Sequence, residues 1–468
     1  MKRSNFLKSI AAGAAFLGSP LAVFSKWENE DINERIASFK EKSDGSMVGF
    51  KVDPIKKVRI GMIGLGNRGK TLTEMFYWMI ENEKAEIVAL CDLKESNVTY
   101  VADKLKEKQK EIPAFYFKDE NDWKSLAERD DIDLLVICTP WDLHTPMAVY
   151  GMEQGKHVAS EVPIAYTLED SWKLVNTAET TKRHCIMLEN CCYNDEELFV
   201  LNMVENGVFG DLTHAEGAYL HDLRALLISD DYYQGQWRIK EHVERDANLY
   251  PTHGLGPISL DMHIGRGDTF SHLTSMSSRE LNLSETAKRE GSPYTNIKCG
   301  DMNNTLIRSK LGKTLLIQFD VHTGRPYSRI NKLVGTKAVH DGYPSRLYID
   351  DPKDLKYWGH EWLSDEAYAA YKEKYRHPMI IKLESIRQDY KQGHGGMDFV
   401  MMYRLIECLN QGLPLDLTVY DGVMWSAVSP LSEISVAKRS KSIDFPDFTG
   451  GTWKTTRELE IMRPISGS

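Results

Sequence analysis

The feature that most constrains this chain is a glycine turn, Gly64-Leu-Gly66-Asn67-Arg68-Gly69, set directly after a β-branched run at 58–63. A helical pattern follows at 71–81, with Leu72, Met75, Phe76 and Met79 on one face. A strand that enters such a turn and leaves it as a helix is the start of a dinucleotide-binding unit. Gly64 permits the tight turn, Gly66 lets the backbone approach a pyrophosphate, and Gly69 allows close helix packing. The helix N-terminus then offers free N–H groups to the anion. Asp92 ends the next strand-like run, 28 residues after Gly64. A carboxylate there accepts both ribose hydroxyls and repels a 2′-phosphate, which favours NAD over NADP.

The alternation continues for about 130 residues. Strand-like runs at 86–91, 115–117, 134–138, 157–159 and 185–188 are separated by helical stretches at 97–110, 145–154 and 167–181. The fully apolar run at 134–138 reads as a buried parallel strand. Thr167 with Asp170 forms a capping box for the last of these helices. The pattern predicts an α/β fold with an N-terminal Rossmann-type, doubly wound parallel sheet over residues 55–188. From residue 189 the rhythm changes. Runs at 213–220, 305–307 and 314–321 come without intervening helices, and 364–410 is helical again. Residues 189–468 are therefore expected to form a substrate-binding α+β domain with a largely antiparallel open sheet. Residues 26–54 are polar and mixed, as in a linker or arm.

The chain has 468 residues, 42% hydrophobic and 27% charged, enough to bury a sizeable core. A net charge of −10, with no basic patch interleaved with aromatics, argues against a nucleic-acid partner. No run of 18 apolar residues is present, so no stable membrane insertion of the processed chain is expected. The first 25 residues have the order of a secretory signal: Lys2-Arg3, an apolar stretch at 10–24, then Ser25. The run Arg3-Ser4-Asn5-Phe6-Leu7-Lys8 approximates a twin-arginine signal with Ser4 in the second arginine's place. Export to the periplasm is the expectation. Seven cysteines without a C-x-x-C suggest neither a disulfide framework nor a metal site. That suits a chain that folds around its cofactor before export. Nothing in the composition fixes the oligomeric state, and a homo-oligomer is compatible with it.

At the carboxyl edge of a doubly wound sheet the loops after the strands line the ligand. Thr139-Pro140-Trp141 follows the fourth strand, with Trp141 and His144 placed for the nicotinamide side. Glu161-Val162-Pro163 follows the fifth strand and Glu189-Asn190 the sixth.

Gly155-Lys-His157-Val, followed by Glu161-x-Pro163, resembles the Gfo/Idh/MocA oxidoreductases, which join a Rossmann domain to a C-terminal α/β domain. That family usually carries Glu-Lys-Pro, where the lysine assists redox chemistry at a sugar hydroxyl. Val162 replaces it here, which speaks against a simple dehydrogenase. A closer resemblance is to glycoside hydrolase family 109, typified by NAD-dependent α-N-acetylgalactosaminidases. It runs through Pro140-Trp141-x-x-His144, Leu188-Glu-Asn190, Gly217-x-Tyr219-x-His221, Trp237-Arg238, Leu249-Tyr-Pro-Thr-His253, Arg325-Pro-Tyr327, Gly393-His-Gly-Gly-Met-Asp398 and Asp444-Phe-Pro-Asp-Phe-Thr449. The resemblance implies NAD contacts at Asn67, Arg68, Asp92, Trp141, Asp142, Leu143, His144, Glu161, Val162 and Asn190. It implies sugar contacts at Tyr219, Arg238, Tyr250, Pro251, Thr252, His253 and Tyr327.

Ordinary glycosidases flank the scissile bond with two carboxylates. A site of Tyr, His and Arg around a nicotinamide suits another route: oxidation at C3 of the sugar, loss of the acidified C2 proton with the C1 substituent, addition of water, and reduction back. His253 and Tyr250 are the candidates for the proton transfers, with no division of roles. A tyrosine base would need its pKa lowered by a cation, and Arg238 is the candidate for that. Arg238 beside Trp237 also reads as a stacking pair, His221 and Asp222 as a hydrogen-bonded pair, and His394 as part of a helix-end turn. The alternatives are an NAD-dependent sugar oxidoreductase, which Val162 disfavours, and a non-catalytic sugar sensor. The sugar is N-acetylgalactosamine only by resemblance, and the anomeric preference is open.

Overall fold

The computed structural model describes residues 29–40, 45–350 and 359–464, so the signal-like segment at 1–25 lies outside the described residues. An arm helix, α1 (Asn29–Ser38), comes first. The first layered unit then runs β1 (Val58–Ile63), α2 (Asn67–Met75), α3 (Tyr77–Glu81), β2 (Ala85–Cys91), α4 (Glu95–Leu105), β3 (Ala114–Tyr116), α5 (Asp122–Ala127), β4 (Leu134–Ile137), α6 (Trp141–Glu153), β5 (His157–Ser160), α7 (Leu168–Thr181) and β6 (Cys185–Met187). Its six strands are parallel in the order β3-β2-β1-β4-β5-β6. This is the doubly wound sheet read from the sequence. The order reverses between β1 and β4, and a ligand crevice opens at such a switch point. β4 is buried along its whole length, as its unbroken apolar run requires.

The helical pattern at 71–81 is one helix in the sequence reading but two in the structure. The chain turns at Phe76, which ends α2 and begins α3. The Thr167–Asp170 capping box is present, with Asp170 N–H donating to Thr167 Oγ1 at 3.0 Å and Thr167 N–H to Asp170 Oδ2 at 3.1 Å. The arm is not bare linker. Ile32 and Ile36, one turn apart on α1, are buried against the body, and Met47 N–H donates to the Tyr420 hydroxyl.

The second unit contains α8 (Asp195–Glu205), β7 (Leu212–Leu220), α9 (Arg224–Ile228), α10 (Trp237–Glu244), α11 (Thr252–Asp261), β8 (Phe270–Ser277), α12 (Asn282–Arg289), β9 (Asn303–Ser309), β10 (Thr314–Asp320), β11 (Lys332–Gly335), β12 (Ala338–Asp341) and β13 (Arg346–Ile349). It closes with α13 (Asp365–Lys374), α14 (Pro378–Arg387), α15 (Met397–Gln411), α16 (Val419–Ala437) and β14 (Ile443–Asp444). Its eight strands lie in the order β13-β12-β11-β7-β10-β9-β8-β14. All neighbours are antiparallel except β7 and β10, which run parallel. β9 alternates buried and exposed residues, so one sheet face packs on helices while the other faces outward.

One contact between the units and one within the second unit place the site. Helix α16 is buried nearly all round, and it packs against both α7 and β8. Helix α11 lies directly on β7 through two glycines. A Cβ on Gly254 would sit 2.2 Å from Ala218 N, and one on Gly217 would sit 2.3 Å from Gly254 O. That approach sets the start of α11 beside the end of β7. Among the described residues no helix is long and apolar enough to cross a membrane.

Candidate active site

The glycine turn joins β1 to α2 at the switch point. Gly64 has φ +85°, and a Cβ on Gly69 would lie 2.0 Å from Gly64 O. These two glycines are demanded by the fold itself. Gly66 differs: a Cβ there would meet nothing within 4 Å. Gly66 is the N-cap of α2 and no side chain caps the helix. Free N–H groups facing an open space are what a pyrophosphate fits. Asp92, at the end of β2, accepts from Leu65 N–H at 2.7 Å and from Asn97 Nδ2 at 3.1 Å, which fixes its carboxylate beside the turn. The residues present therefore fit a dinucleotide.

Arg68 is not a free surface cation. Its Nε donates to Glu161 Oε1 at 2.8 Å, and its Nη1 and Nη2 donate to Asp398 Oδ2 and Oδ1 at 2.6 and 3.0 Å. Asn190 Nδ2 donates to Asp398 Oδ1 at 2.7 Å, and His394 Nδ1 lies 2.8 Å from Oδ2. Burial would raise the Asp398 carboxyl, but Arg68 and His394 outweigh it and hold it far below the usual carboxylate range. The cluster ties the glycine turn, the loops after β5 and β6, and the first turn of α15 together. Arg68, Glu161 and Asn190, expected at the cofactor from the sequence, meet here, whereas Asp398 carries no local sequence signal of this role and His394 reads in the sequence as a turn residue. His394 is in the left-handed conformation at φ +49°, and its side chain is about half exposed.

His144 is fully enclosed, with Nδ1 2.7 Å from Pro163 O and Nε2 2.7 Å from Thr139 O. It holds the loop after β4 against the loop after β5. Asp142 and Leu143, on the outward side of α6, are exposed. Val162 is buried, so no side-chain amine occupies the position after Glu161.

The expected sugar-binding residues form one aromatic wall. Trp141 stacks on Tyr250 with centroids 5.7 Å apart and planes at 27°. Tyr250 meets His253 edge-on at 4.9 Å, and Tyr219 lies 4.8 Å from Tyr250 and 6.1 Å from Tyr327. The Arg238 guanidinium carbon sits over the Tyr250, Trp141 and Tyr233 rings at 4.8, 5.1 and 5.1 Å. Its stacking partners are thus these three rings and not its neighbour Trp237. Thr252 and Pro251 are buried at the start of α11. His221 does not pair with Asp222. Its Nδ1 lies 3.2 Å from the Tyr219 hydroxyl, and Asp222 instead accepts from Arg224.

The surroundings of Tyr250 do not lower its phenol, as a tyrosine base would need. Burial raises its phenol well above the usual value, and Arg238, though close enough to lower it, does not offset that. The direction of that shift disfavours a phenolate at Tyr250. His253 Nδ1 lies 2.7 Å from Glu189 Oε1, a carboxylate with no solvent exposure. The seven cysteines are all free thiols.

A six-stranded doubly wound sheet with an open pyrophosphate cradle, set beside an aromatic wall on an open sheet, defines an NAD-binding enzyme with a Rossmann unit and a second α/β unit. Residues 58–189 match the oxidoreductase family with an NAD-binding Rossmann fold, and residues 193–455 match the glycosyl hydrolase 109 C-terminal domain. A glycosyl hydrolase family 109 protein from Solibacter usitatus is 46% identical over 425 residues, covering 89% of this chain and 94% of that one. An α-N-acetylgalactosaminidase from Shewanella oneidensis is 41% identical over 471 residues, covering 98% of each chain. A levoglucosan dehydrogenase solved with NADH and levoglucosan shares the fold, with TM-score 0.61 at 17% identity, over 84% of this chain and 100% of that one. This chain belongs to glycosyl hydrolase family 109, and its cofactor is NAD.

Proposed function

We propose that this enzyme removes terminal α-N-acetylgalactosamine residues from glycans by oxidation at C3, elimination across C2 and C1, addition of water and reduction. The relative from Shewanella oneidensis carries that activity in its name. The observation that carries the reading here is the stack of Trp141 on Tyr250, with His253 at its edge, which makes the loop after β4 and the aromatic wall one continuous site. NAD, when bound, supplies a reversible oxidation at the sugar ring and is not consumed. The free N–H groups at Gly66, the carboxylate of Asp92 and the Arg68 cluster are the residues that hold it.

His253 takes the C2 proton, which is acidic only while C3 is a carbonyl; a neutral imidazole suits this near pH 7. The Tyr250 phenol, kept protonated, donates a hydrogen bond to a sugar oxygen. Arg238 supplies a fixed positive charge behind the rings. Val162 supplies no amine for the C3 hydroxyl proton, so that proton passes to water as C3 is oxidised and returns in the final reduction, while the C2 proton taken by His253 goes to the departing C1 oxygen. The chain is exported with its nucleotide bound. Hydrolysis of an aryl α-N-acetylgalactosaminide in deuterium oxide tests the reading. Deuterium at C2 of the released sugar is the expected result, and its absence overturns the elimination route.

A further inference from the structure

We propose that Glu189 is the positioning residue of His253: it fixes the imidazole as the Nδ1–H tautomer and so leaves Nε2 as the proton-accepting atom. This rests on the reading of His253 as the C2 base. His253 is the second residue of α11, and its Nδ1 lies 2.7 Å from Glu189 Oε1. Its Nε2 makes no hydrogen bond among the described residues, and the side chain keeps 14% of its exposure. A carboxylate is an acceptor only. A neutral ring facing it must therefore carry its proton on Nδ1, and the lone pair is left on Nε2.

Glu189 is itself immobile. It follows β6 with its side chain at 0% exposure, and Oε1 also accepts from Cys191 N–H at 3.2 Å. A Cβ on Gly256 would come within 2.9 Å of its Cγ, so the body of α11 closes over it. Taking a full negative charge out of water is costly unless it is paired. His253 is the ionisable partner in direct contact, and the other oxygen, Oε2, is enclosed without a hydrogen bond. When His253 accepts a proton at Nε2, the imidazolium formed faces this carboxylate, which stabilises it. Glu189 touches neither sugar nor cofactor in this role; it acts through His253.

Glu189→Gln keeps the shape but lets an amide N–H point at Nδ1, which favours the opposite tautomer. The expected result is a fall in kcat on the order of 10²–10⁴-fold, with KM little changed. C2 deuterium incorporation slows in parallel. Glu189→Asp is expected to recover part of the rate, and bound NAD and far-UV circular dichroism stay as in the wild type. If the wild-type enzyme releases sugar without C2 deuterium, the base reading fails, and this proposal with it. If the wild type incorporates deuterium but Glu189→Gln keeps its rate, or loses it through KM and bound NAD instead of kcat, the assignment of Glu189 alone fails. If Glu189→Gln does not fold, 15N shifts of the histidines in the wild-type holoenzyme decide: an Nε2–H tautomer at His253 overturns the proposal, and an Nδ1–H tautomer supports it.

Discussion

Asp398 grips Arg68 with both carboxylate oxygens, at 2.6 and 3.0 Å, from a position with no solvent exposure. The two residues are 330 positions apart. One sits in the glycine turn, the other in the first turn of α15, so the pair clasps the C-terminal unit to the cofactor cradle.

Asp398→Asn leaves Arg68 with Glu161 as its remaining carboxylate and weakens this clasp. Removing one partner of a buried pair costs about 3 kcal/mol. The folded pKa of Asp398 is depressed, so its contribution is fully present above the unfolded carboxyl value, declines below it, and is gone only when pH falls through the much lower folded value. The variant is expected to melt lower than wild type at neutral pH, with the gap closing in acid. It should also lose nucleotide on dialysis, read by releasing bound NAD from the denatured protein. Full retention of NAD with an unchanged melting temperature would contradict the clasp.

Gly66 and Gly69 are expected to fail differently. Gly69→Ala drives a Cβ into the Gly64 carbonyl, and the turn cannot close without moving backbone. Gly66→Ala places its Cβ in open space at an ordinary φ of −68°, so the apoprotein should fold and melt as the wild type does. The space it fills is where the pyrophosphate approaches. Purified Gly66→Ala should therefore be folded but nucleotide-poor, whereas Gly69→Ala should be poorly soluble. Normal NAD content in Gly66→Ala would remove that turn from the cofactor site.

The first unit was legible because its signals are local. A strand, a glycine turn and a helix lie within two dozen residues, and β4 announces its burial by having no polar residue. The aromatic wall was legible residue by residue through the family resemblance, but its internal logic was not. Nothing near Tyr250 in sequence shows that burial outweighs the Arg238 charge, because burial comes from elements brought in by the Gly217–Gly254 contact. Asp398 and Glu189 had ordinary local contexts, and their meaning depends on partners 330 and 64 positions away. The parallel β7–β10 pair was hidden for the same reason. The arm helix was missed because Ile32 and Ile36 are too few apolar positions to stand out in a polar window.

Tyr250→Phe separates packing from chemistry. The ring stays, so the stacks on Trp141 and Arg238 are kept and the melting temperature should change little. The hydroxyl donor is lost, and kcat should fall about 10²–10⁴-fold with NAD retained. Since the phenol titrates well above its usual value, the alkaline limb of the wild-type rate profile should not belong to it. An alkaline limb that disappears in Tyr250→Phe, with the rate otherwise preserved, would restore a role for the phenolate.

Asp261 ends α11, the helix that carries His253, and both of its carboxylate oxygens are enclosed without a hydrogen bond. Burial, with the charges of Glu197 and Glu205, pushes its pKa well above the ordinary value. The folded state therefore keeps a proton that the unfolded chain has lost. Between the unfolded and folded pKa values this makes stability fall with rising pH, by about 1.4 kcal/mol per unit. Asp261→Asn cannot titrate and escapes that slope. The variant should be no more stable than wild type in mild acid, where both carry an uncharged side chain, and increasingly more stable towards neutral pH. Denaturant midpoints measured at several pH values would show the two curves diverging. Parallel curves would mean that Asp261 is ionised in the fold and has a partner.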